Sequence, residues 1–132
     1  PGGARVISQG LHTRVFVCTK PIDMRKSFDT LARVVGDDLG RDPLSGEIFL
    51  FLSRTRRTAK ALLWDGTGMC IYAKRLERAL FAAPWRDDGA PVSLTASELA
   101  LFFEGSKLVF RAPLSPPTKS LHVLATGSPK PR

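Results

Sequence analysis

The hydrophobic positions near the start of the chain form a short apolar run and then recur at helical spacing. Residues 15–18 (VFVC) are of strand-forming types. From Met24 to Leu39, apolar side chains recur every three or four residues, as on one face of a helix. Asp23 stands where a helix N-cap belongs, and Gly40 is a typical helix end. The pattern therefore predicts a strand followed by the main helix.

Beyond this helix the pattern is typical of a β-meander. Turn-forming residues at 42–46 are followed by three apolar runs of strand-like composition. The polar, cationic residues 53–58 join the first two runs, and a segment that begins with Asp65-Gly66 joins the last two. An Asp-Gly pair between such runs strongly favours a hairpin. We expect three antiparallel strands, at residues 47–52, 59–65 and 69–74.

The following residues predict a shorter helical region. Leu76, Leu80 and Phe81 are compatible with a short helix over residues 75–81, and residues 84–93 are expected to form a loop. A capping box follows: Thr95 and Glu98 have the spacing at which each side chain binds the backbone amide of the other. A second helix should begin there and end before the glycine at position 105.

Together these elements predict an α+β fold. It is a small antiparallel sheet in β-α-β-β-β order, with the main helix packed on it and a short C-terminal helix. A chain of 132 residues fits one domain. Its last residues are rich in Pro, Ser, Thr and Lys, with almost no acid, which is typical of disorder. We expect a flexible arm, a single domain and a disordered tail, at residues 1–13, 14–112 and 113–132.

Composition excludes several classes of protein. Hydrophobic residues make up 43% of the chain, enough for a core. The longest apolar runs, such as residues 48–52, are far shorter than the roughly 20 residues of a membrane span, so no membrane association is expected. No secretory signal is visible. Cys18 and Cys70 lie in apolar runs without a nearby His, which indicates core thiols, no metal site and a reducing, cytoplasmic compartment.

The charge is strongly positive and unevenly distributed. The formal net charge of +8 favours polyanionic partners. Residues 53–78 carry seven bases and two acids, whereas residues 79–104 carry one base and four acids. In an antiparallel meander, the loop at 53–58 and the end of the third strand lie at the same end of the sheet. We expect this end to bind DNA phosphates through Arg54, Arg56, Arg57, Lys60, Lys74, Arg75 and Arg78.

The first helix offers a second candidate phosphate contact. Arg25 and Lys26 would lie in its opening turn, where free backbone amides also attract anions. Alternatively, Asp23 simply caps the helix and pairs with its basic neighbours. Trp85, beside Arg86 in the predicted loop, is a candidate for stacking on a base.

An enzymatic function is not expected. The two histidines, His12 and His122, fall in the predicted arm and tail, where neither is held as a general base. A metal-dependent nuclease needs converging carboxylates. Asp23, Asp65 and Glu104 are the candidates, but each already has a structural role as cap, turn or helix end. We therefore predict no catalytic residue, no metal and no cofactor.

The most distinctive segments of the chain are residues 21–31 (PIDMRKSFDTL) and residues 63–68 (LWDGTG). Both resemble segments of the accessory TnpB proteins of the insertion-sequence-66 transposon family. In order along residues 14–105, further matches are 43–46, 49–51, Lys60, 74–77, Phe81, Pro84, 94–95, 98–99 and 104–105. The chain departs from the family pattern at Ser27 and Thr30, where glycines are usual, and in its arginine loop, which is usually Asn-Arg-Arg-Gly-like.

The resemblance implies a bacterial protein that assists DNA transposition, a recombination process, beside a separate transposase that cuts the DNA. It implies no mechanism. Two hypotheses follow. In the first, the basic residues bind the DNA backbone without catalysis. In the second, the protein is an adaptor that recruits or regulates the cognate transposase, through the acidic helix at 95–104 with Phe102 and Phe103. The oligomeric state is left open.

Overall fold

The computed structural model describes residues 13–110, which form one five-stranded sheet flanked by two helices. The elements are, in chain order, β1 (Val15–Val17), α1 (Phe28–Asp37), β2 (Ile48–Leu52), β3 (Thr58–Trp64), β4 (Met69–Arg75), β5 (Val92–Leu94) and α2 (Ala96–Phe103). The expected α+β fold is confirmed. The predicted arm lies almost wholly, and the predicted tail entirely, outside the described residues.

The sheet has the strand order β4-β3-β2-β1-β5. The meander of β2, β3 and β4 is antiparallel as expected, whereas β1 and β2 run parallel, with Phe16 beside Phe49. Parallel neighbours need a crossover connection, and α1 provides it. The sheet is therefore mostly, rather than entirely, antiparallel.

The strand β2 lies at the centre of the sheet because all five of its side chains are apolar. Buried on both faces, such a strand shows no alternation of polar and apolar residues. Phe49 and Phe51 pack with Leu31 and Val35 of α1, and the other side chains of β2 pack with α2 on the opposite face. Each face of the sheet is thus covered by one helix.

The main helix begins later than predicted. Ser27, not Asp23, is the N-cap, and the Ser27 amide donates to the Thr30 hydroxyl oxygen at 2.9 Å. Asp23 instead accepts hydrogen bonds from the backbone amide and the guanidinium of Arg25. The prediction was wrong because Met24 extends the apolar pattern into the preceding loop, where it packs against the core without being helical. Arg25 and Lys26 therefore both precede the helix instead of lying in its opening turn.

Two predictions about the second half of the chain were also wrong. Residues 75–81 form no helix: Arg75 ends β4, and the following segment is irregular. The expected loop at 84–93 ends in β5, which pairs antiparallel with β1. This strand has three residues, too few for an alternating pattern to be detected.

The capping box at the start of α2 is confirmed. The Glu98 amide donates to the Thr95 hydroxyl at 3.1 Å, and the Thr95 amide donates to the Glu98 carboxylate at 2.8 Å.

Candidate nucleic-acid interface

The meander brings the arginine loop and the end of β4 together. In the ladder between β3 and β4, Thr58 lies opposite Arg75 and Ala59 opposite Lys74. The amide of Leu76 then donates to the carbonyl of Arg57 at 2.8 Å. Residues far apart in the sequence therefore share one end of the sheet, which we call the basic end, comprising the loop 53–57, the adjoining parts of β3 and β4, and residues 76–81.

Backbone and hydroxyl hydrogen bonds fix the shape of the arginine loop. The Ser53 amide donates to the Thr58 carbonyl at 2.9 Å, and the Thr58 amide donates to the Ser53 hydroxyl at 3.1 Å. Arg56 adopts a left-handed φ of 65°, and its amide donates to the Ser53 carbonyl. A non-glycine residue in this region is uncommon and needs support from its surroundings. The loop therefore presents its side chains from a defined backbone.

Support for the loop comes from the segment that was predicted as a helix. The Phe81 amide donates to the Arg56 carbonyl at 2.8 Å, and Arg56 Nε donates to the Phe81 carbonyl oxygen at 2.9 Å. Phe81 itself is fully buried, and its ring stacks on Phe102 with a centroid distance of 4.8 Å. Arg56 is thus tied to the core through Phe81. At least one of its donors is used structurally.

Lys60 and Lys74 point to opposite faces of the sheet. Lys60, on the α1 side, donates from Nζ to the carbonyl oxygens of Met24 and Lys26, both at 2.8 Å. Lys74, on the α2 side, donates to the carbonyl oxygen of Phe103 at 2.8 Å, where the C-terminus of the helix favours a cation. Both ammonium groups satisfy backbone carbonyls, so neither stands free as a surface charge.

Two further predicted contacts lie in exposed ion pairs. Arg75 pairs with Glu77 at 3.1 Å, and Arg25 pairs with Asp23 at 2.6 Å. Hydrogen bonds from the Arg25 side chain and amide lower the pKa of Asp23 to about 2. Exposed pairs of this kind bind weakly and are screened by salt. A phosphate could therefore compete for either guanidinium.

The remaining predicted residues have cationic groups without such partners. They are Arg54, Arg57, Arg78 and Lys26. Their side chains make no ion pair or hydrogen bond within residues 13–110. The three arginines are exposed, and the lysine is half-buried. Arg78 lies between the two backbone ties that fix residues 76–81 to the arginine loop. Arg54, Arg57 and Arg78 therefore form an exposed cationic group on one end of the sheet.

Sequence reasoning missed one cation at this end. Lys107 follows α2, and its Nζ donates to the carbonyl oxygen of Leu80, next to the residue that binds Arg56. Its position depends on how residues 105–110 turn back over the sheet, where Val109 is buried in the core. Val109 occurs in an apolar run with Leu108, but nothing in the spacing relates Lys107 to the arginine loop.

The structure separates the carboxylates considered for catalysis. The neighbours of Asp23 are held at the basic end, by the bond from the Ile22 amide to the Leu52 carbonyl and that from Lys60 to the Met24 carbonyl, whereas Asp65 lies in the hairpin at the opposite end of the sheet. Amides of Thr67 and Gly68 donate to Asp65, and these bonds lower its pKa to about 2. No group of three or more metal-ligating side chains that could hold a metal ion occurs within the described residues. Asp23 and Asp65 therefore cannot share one ion.

The aromatic side chains considered for stacking on a base or for docking a partner pack in or against the core. Phe102 and Phe103 are buried in the core, so a docking surface on α2 could not use their rings. Trp85 is half-buried against the same core, and Arg86 pairs with Asp88 at 2.7 Å.

Cys18 and Cys70 are free thiols, and burial raises the pKa of each. Neither described helix is long and apolar enough to cross a membrane.

Comparison with known proteins identifies the family. Residues 13–111 match the model of the IS66 Orf2 like protein family. The chain is 36% identical to the uncharacterized protein y4jC of Sinorhizobium fredii (strain NBRC 101917 / NGR234) over 114 residues, which are 85% of this chain and 95% of the relative. It is 33% identical to the uncharacterized protein y4hO of the same organism over 100 residues, 76% of this chain and 86% of that relative. No solved structure matches. The match suggests an accessory role in transposition, and the chain belongs to the IS66 Orf2-like family.

Proposed function

We propose that this protein supports transposition of an insertion sequence by binding the DNA phosphate backbone, without catalysis, through its basic end. The observation that carries the proposal is the exposed group of Arg54, Arg57 and Arg78, for which the described residues supply no carboxylate. Like charges held close together disfavour the compact state. A phosphate backbone relieves this repulsion and releases counterions.

The contacts position the protein and read no sequence. Guanidinium groups bind phosphate oxygens, which are the same at every base pair. Arg25 and Arg75 contribute if phosphate displaces their weak carboxylate partners, and Lys26 adds charge beside them. Arg56, Lys60 and Lys74 act mainly by holding the backbone in place. Sequence specificity would then come from the transposase.

The test is a titration of duplex DNA by the full chain at several salt concentrations. Binding through phosphates gives a linear fall of log K with log salt, with a slope of about 0.9 per contact. The triple variant Arg54→Ala, Arg57→Ala and Arg78→Ala should reduce the slope by up to about 2.7 on this basis. An unchanged slope would overturn the assignment of these residues.

A matched control separates local contact from total charge. Arg33→Ala on α1 removes one exposed arginine with no partner among the described residues, as Arg57→Ala does. Both variants lose one positive charge, yet only Arg57→Ala should reduce the salt slope. Equal effects would mean that the net charge, not the basic end, governs binding.

The adaptor hypothesis makes a different prediction. It requires a complex with the cognate transposase that survives nuclease treatment of the lysate. Survival together with undetectable DNA binding by the purified protein would replace the present proposal. Loss of the complex after nuclease treatment agrees with contact through DNA.

A further inference from the structure

A pocket of about 280 Å³ opens beside the basic end. It lies between the arginine loop, the residues after Phe81 and the segment that follows α2. Its walls are formed by Arg56, Ala82, Ala83, Lys107, Val109 and Phe110. The volume is just below the range of about 300 to 1,000 Å³ that is typical of ligand pockets. It suits one small ligand and is far too narrow for a duplex.

Two cations line this pocket, and adjacent carbonyls hold them side by side. Arg56 Nε donates to the carbonyl of Phe81, and Lys107 Nζ donates to the carbonyl of Leu80. A guanidinium has five donors and an ammonium has three, so both retain donors for a ligand. No carboxylate is among the described residues that line it. The pocket is therefore suited to an anion, and phosphate fits the guanidinium fork.

The rest of the wall is apolar and includes an aromatic ring. Ala82, Ala83 and Val109 present no polar side chain, and Phe110 is half-buried with its ring 5.9 Å from that of Phe102. A base can stack on such a ring irrespective of its identity. Cations at one side and an aromatic surface at the other match the two halves of a nucleotide.

The backbone is strained at two points of the same pocket. Within the described residues, only Arg56 and Phe110 combine a side chain with a left-handed φ, at 65° and 74°. Such conformations cost free energy, persist only where the surroundings enforce them, and concentrate at binding sites. Here they orient both the cation and the ring that line the pocket.

We propose that the pocket binds one unpaired nucleotide of a DNA strand, with its phosphate on Arg56 and Lys107 and its base against Phe110. The inference rests on the proposed function, since it takes the ligand to belong to DNA. An unpaired nucleotide at a strand end can enter such a pocket, whereas a paired base would first have to leave the stack. The protein would then prefer DNA with single-stranded ends over blunt duplex.

The test compares two duplexes of equal length with the full chain. One is blunt, and the other carries a short 5′-phosphorylated single-stranded overhang. Phe110→Ala should reduce the preference for the overhang by about 5- to 150-fold, the value of one base stacked on an aromatic ring. Lys107→Met should reduce it by about tenfold or more through loss of a charged hydrogen bond. Phe110→Ala should bind blunt duplex as the wild type does. Because Lys107 is one of the cations at the basic end, Lys107→Met is judged by the ratio of overhang binding to blunt binding rather than by blunt binding alone.

Two controls keep the result interpretable. Phe28→Ala removes an exposed ring from α1, on the other face of the sheet from the pocket, and should leave the preference unchanged. Because Phe110 also contacts Phe102, Lys107→Met serves if Phe110→Ala fails to fold. A deoxynucleoside monophosphate should displace the single-stranded end from the pocket. It should therefore remove the preference for the overhang duplex without releasing blunt duplex.

The two proposals fail in different ways. Binding of blunt duplex without any preference for the overhang would overturn the pocket assignment alone. Failure to bind blunt duplex would overturn the proposed function. Displacement of the overhang by inorganic phosphate as effectively as by the monophosphate would show an anion site without a base, and would also overturn the inference.

Discussion

The two ends of the sheet treat their charged side chains differently. At the end opposite the basic end, the start of β2 meets the hairpin between β3 and β4. There Asp65 accepts from backbone amides, and Glu47 pairs with Arg41 at 2.8 Å, a bond that lowers the pKa of Glu47. Asp38 and Asp42, between α1 and β2, add negative charge.

The basic end divides its cations between two tasks. Arg56, Lys60 and Lys74 donate to carbonyls, whereas Arg54 and Arg57 are exposed without partners among the described residues. Asp65 and Glu47 at one end are thus committed to the fold, while the other end has cations in excess of its structural needs. The comparison shows that surplus charge, rather than total charge, marks the candidate interface.

The largest expected effect comes from removing the aromatic ring that supports the basic end. Phe81→Ala leaves the backbone bonds to Arg56 possible but deletes a fully buried ring stacked on Phe102. Substitutions of this type lower the free energy of unfolding by about 3–5 kcal/mol. Urea denaturation followed by circular dichroism measures the change. Phe28→Ala, an exposed ring on α1, is the matched control and should change stability much less. Equal effects would show that Phe81 does not support the loop.

A smaller effect is expected for a cation committed to the fold. Lys60→Met keeps the length of the side chain but removes the donor to the carbonyls of Met24 and Lys26. Hydrogen bonds to charged groups contribute about 1.5–3 kcal/mol, so the free energy of unfolding should fall by that amount. The slope of DNA binding against salt should not change.

Lys26→Met is the control for this experiment. It makes the same chemical change in the loop that Lys60 holds, but its ammonium has no hydrogen-bond partner among the described residues. We expect its stability to remain within about 0.5 kcal/mol of the wild type. If Lys60→Met were as stable as the wild type and had a reduced salt slope, Lys60 would be a phosphate contact instead.

Much of the fold followed from local patterns. Long apolar runs predicted β2, β3 and β4, and the Asp65-Gly66 pair predicted the hairpin, in which Gly66 adopts a φ of 103°. Because antiparallel connectivity fixes which strand ends meet, the gathering of the arginine loop and the end of β4 was also predictable. These features depend on short-range sequence signals and simple topology.

What could not be predicted depends on contacts between distant residues. The roles of Lys60 and Lys74 depend on carbonyls contributed by residues 24–26 and by the end of α2, which no spacing relates to β3 or β4. Leucines in residues 76–81 suggested a helix, but the segment instead binds the arginine loop through its backbone. Charge counting alone therefore treats structural and surplus cations as equal.

The smallest expected effect concerns acid stability and compares one carboxylate from each end. Asp23 and Asp65 both have a pKa lowered from 3.8 to about 2. A carboxylate whose pKa is lower in the folded state stabilises the fold above its unfolded pKa, and this contribution is lost as the pH falls. The urea midpoint should therefore decrease between about pH 4 and pH 2.

The physical causes of the two shifts differ, and salt should separate them. Asp65 accepts mainly from amides of its own turn, whereas Asp23 depends chiefly on the guanidinium of Arg25. Asp65→Asn keeps an acceptor oxygen, and at any salt concentration it should remove part of the decrease in the urea midpoint at acid pH. Asp23→Asn should do so only at low salt, because exposed ion pairs are screened. An equal salt response in both variants would contradict the distinction between an end held by backbone amides and an end governed by exchangeable ion pairs.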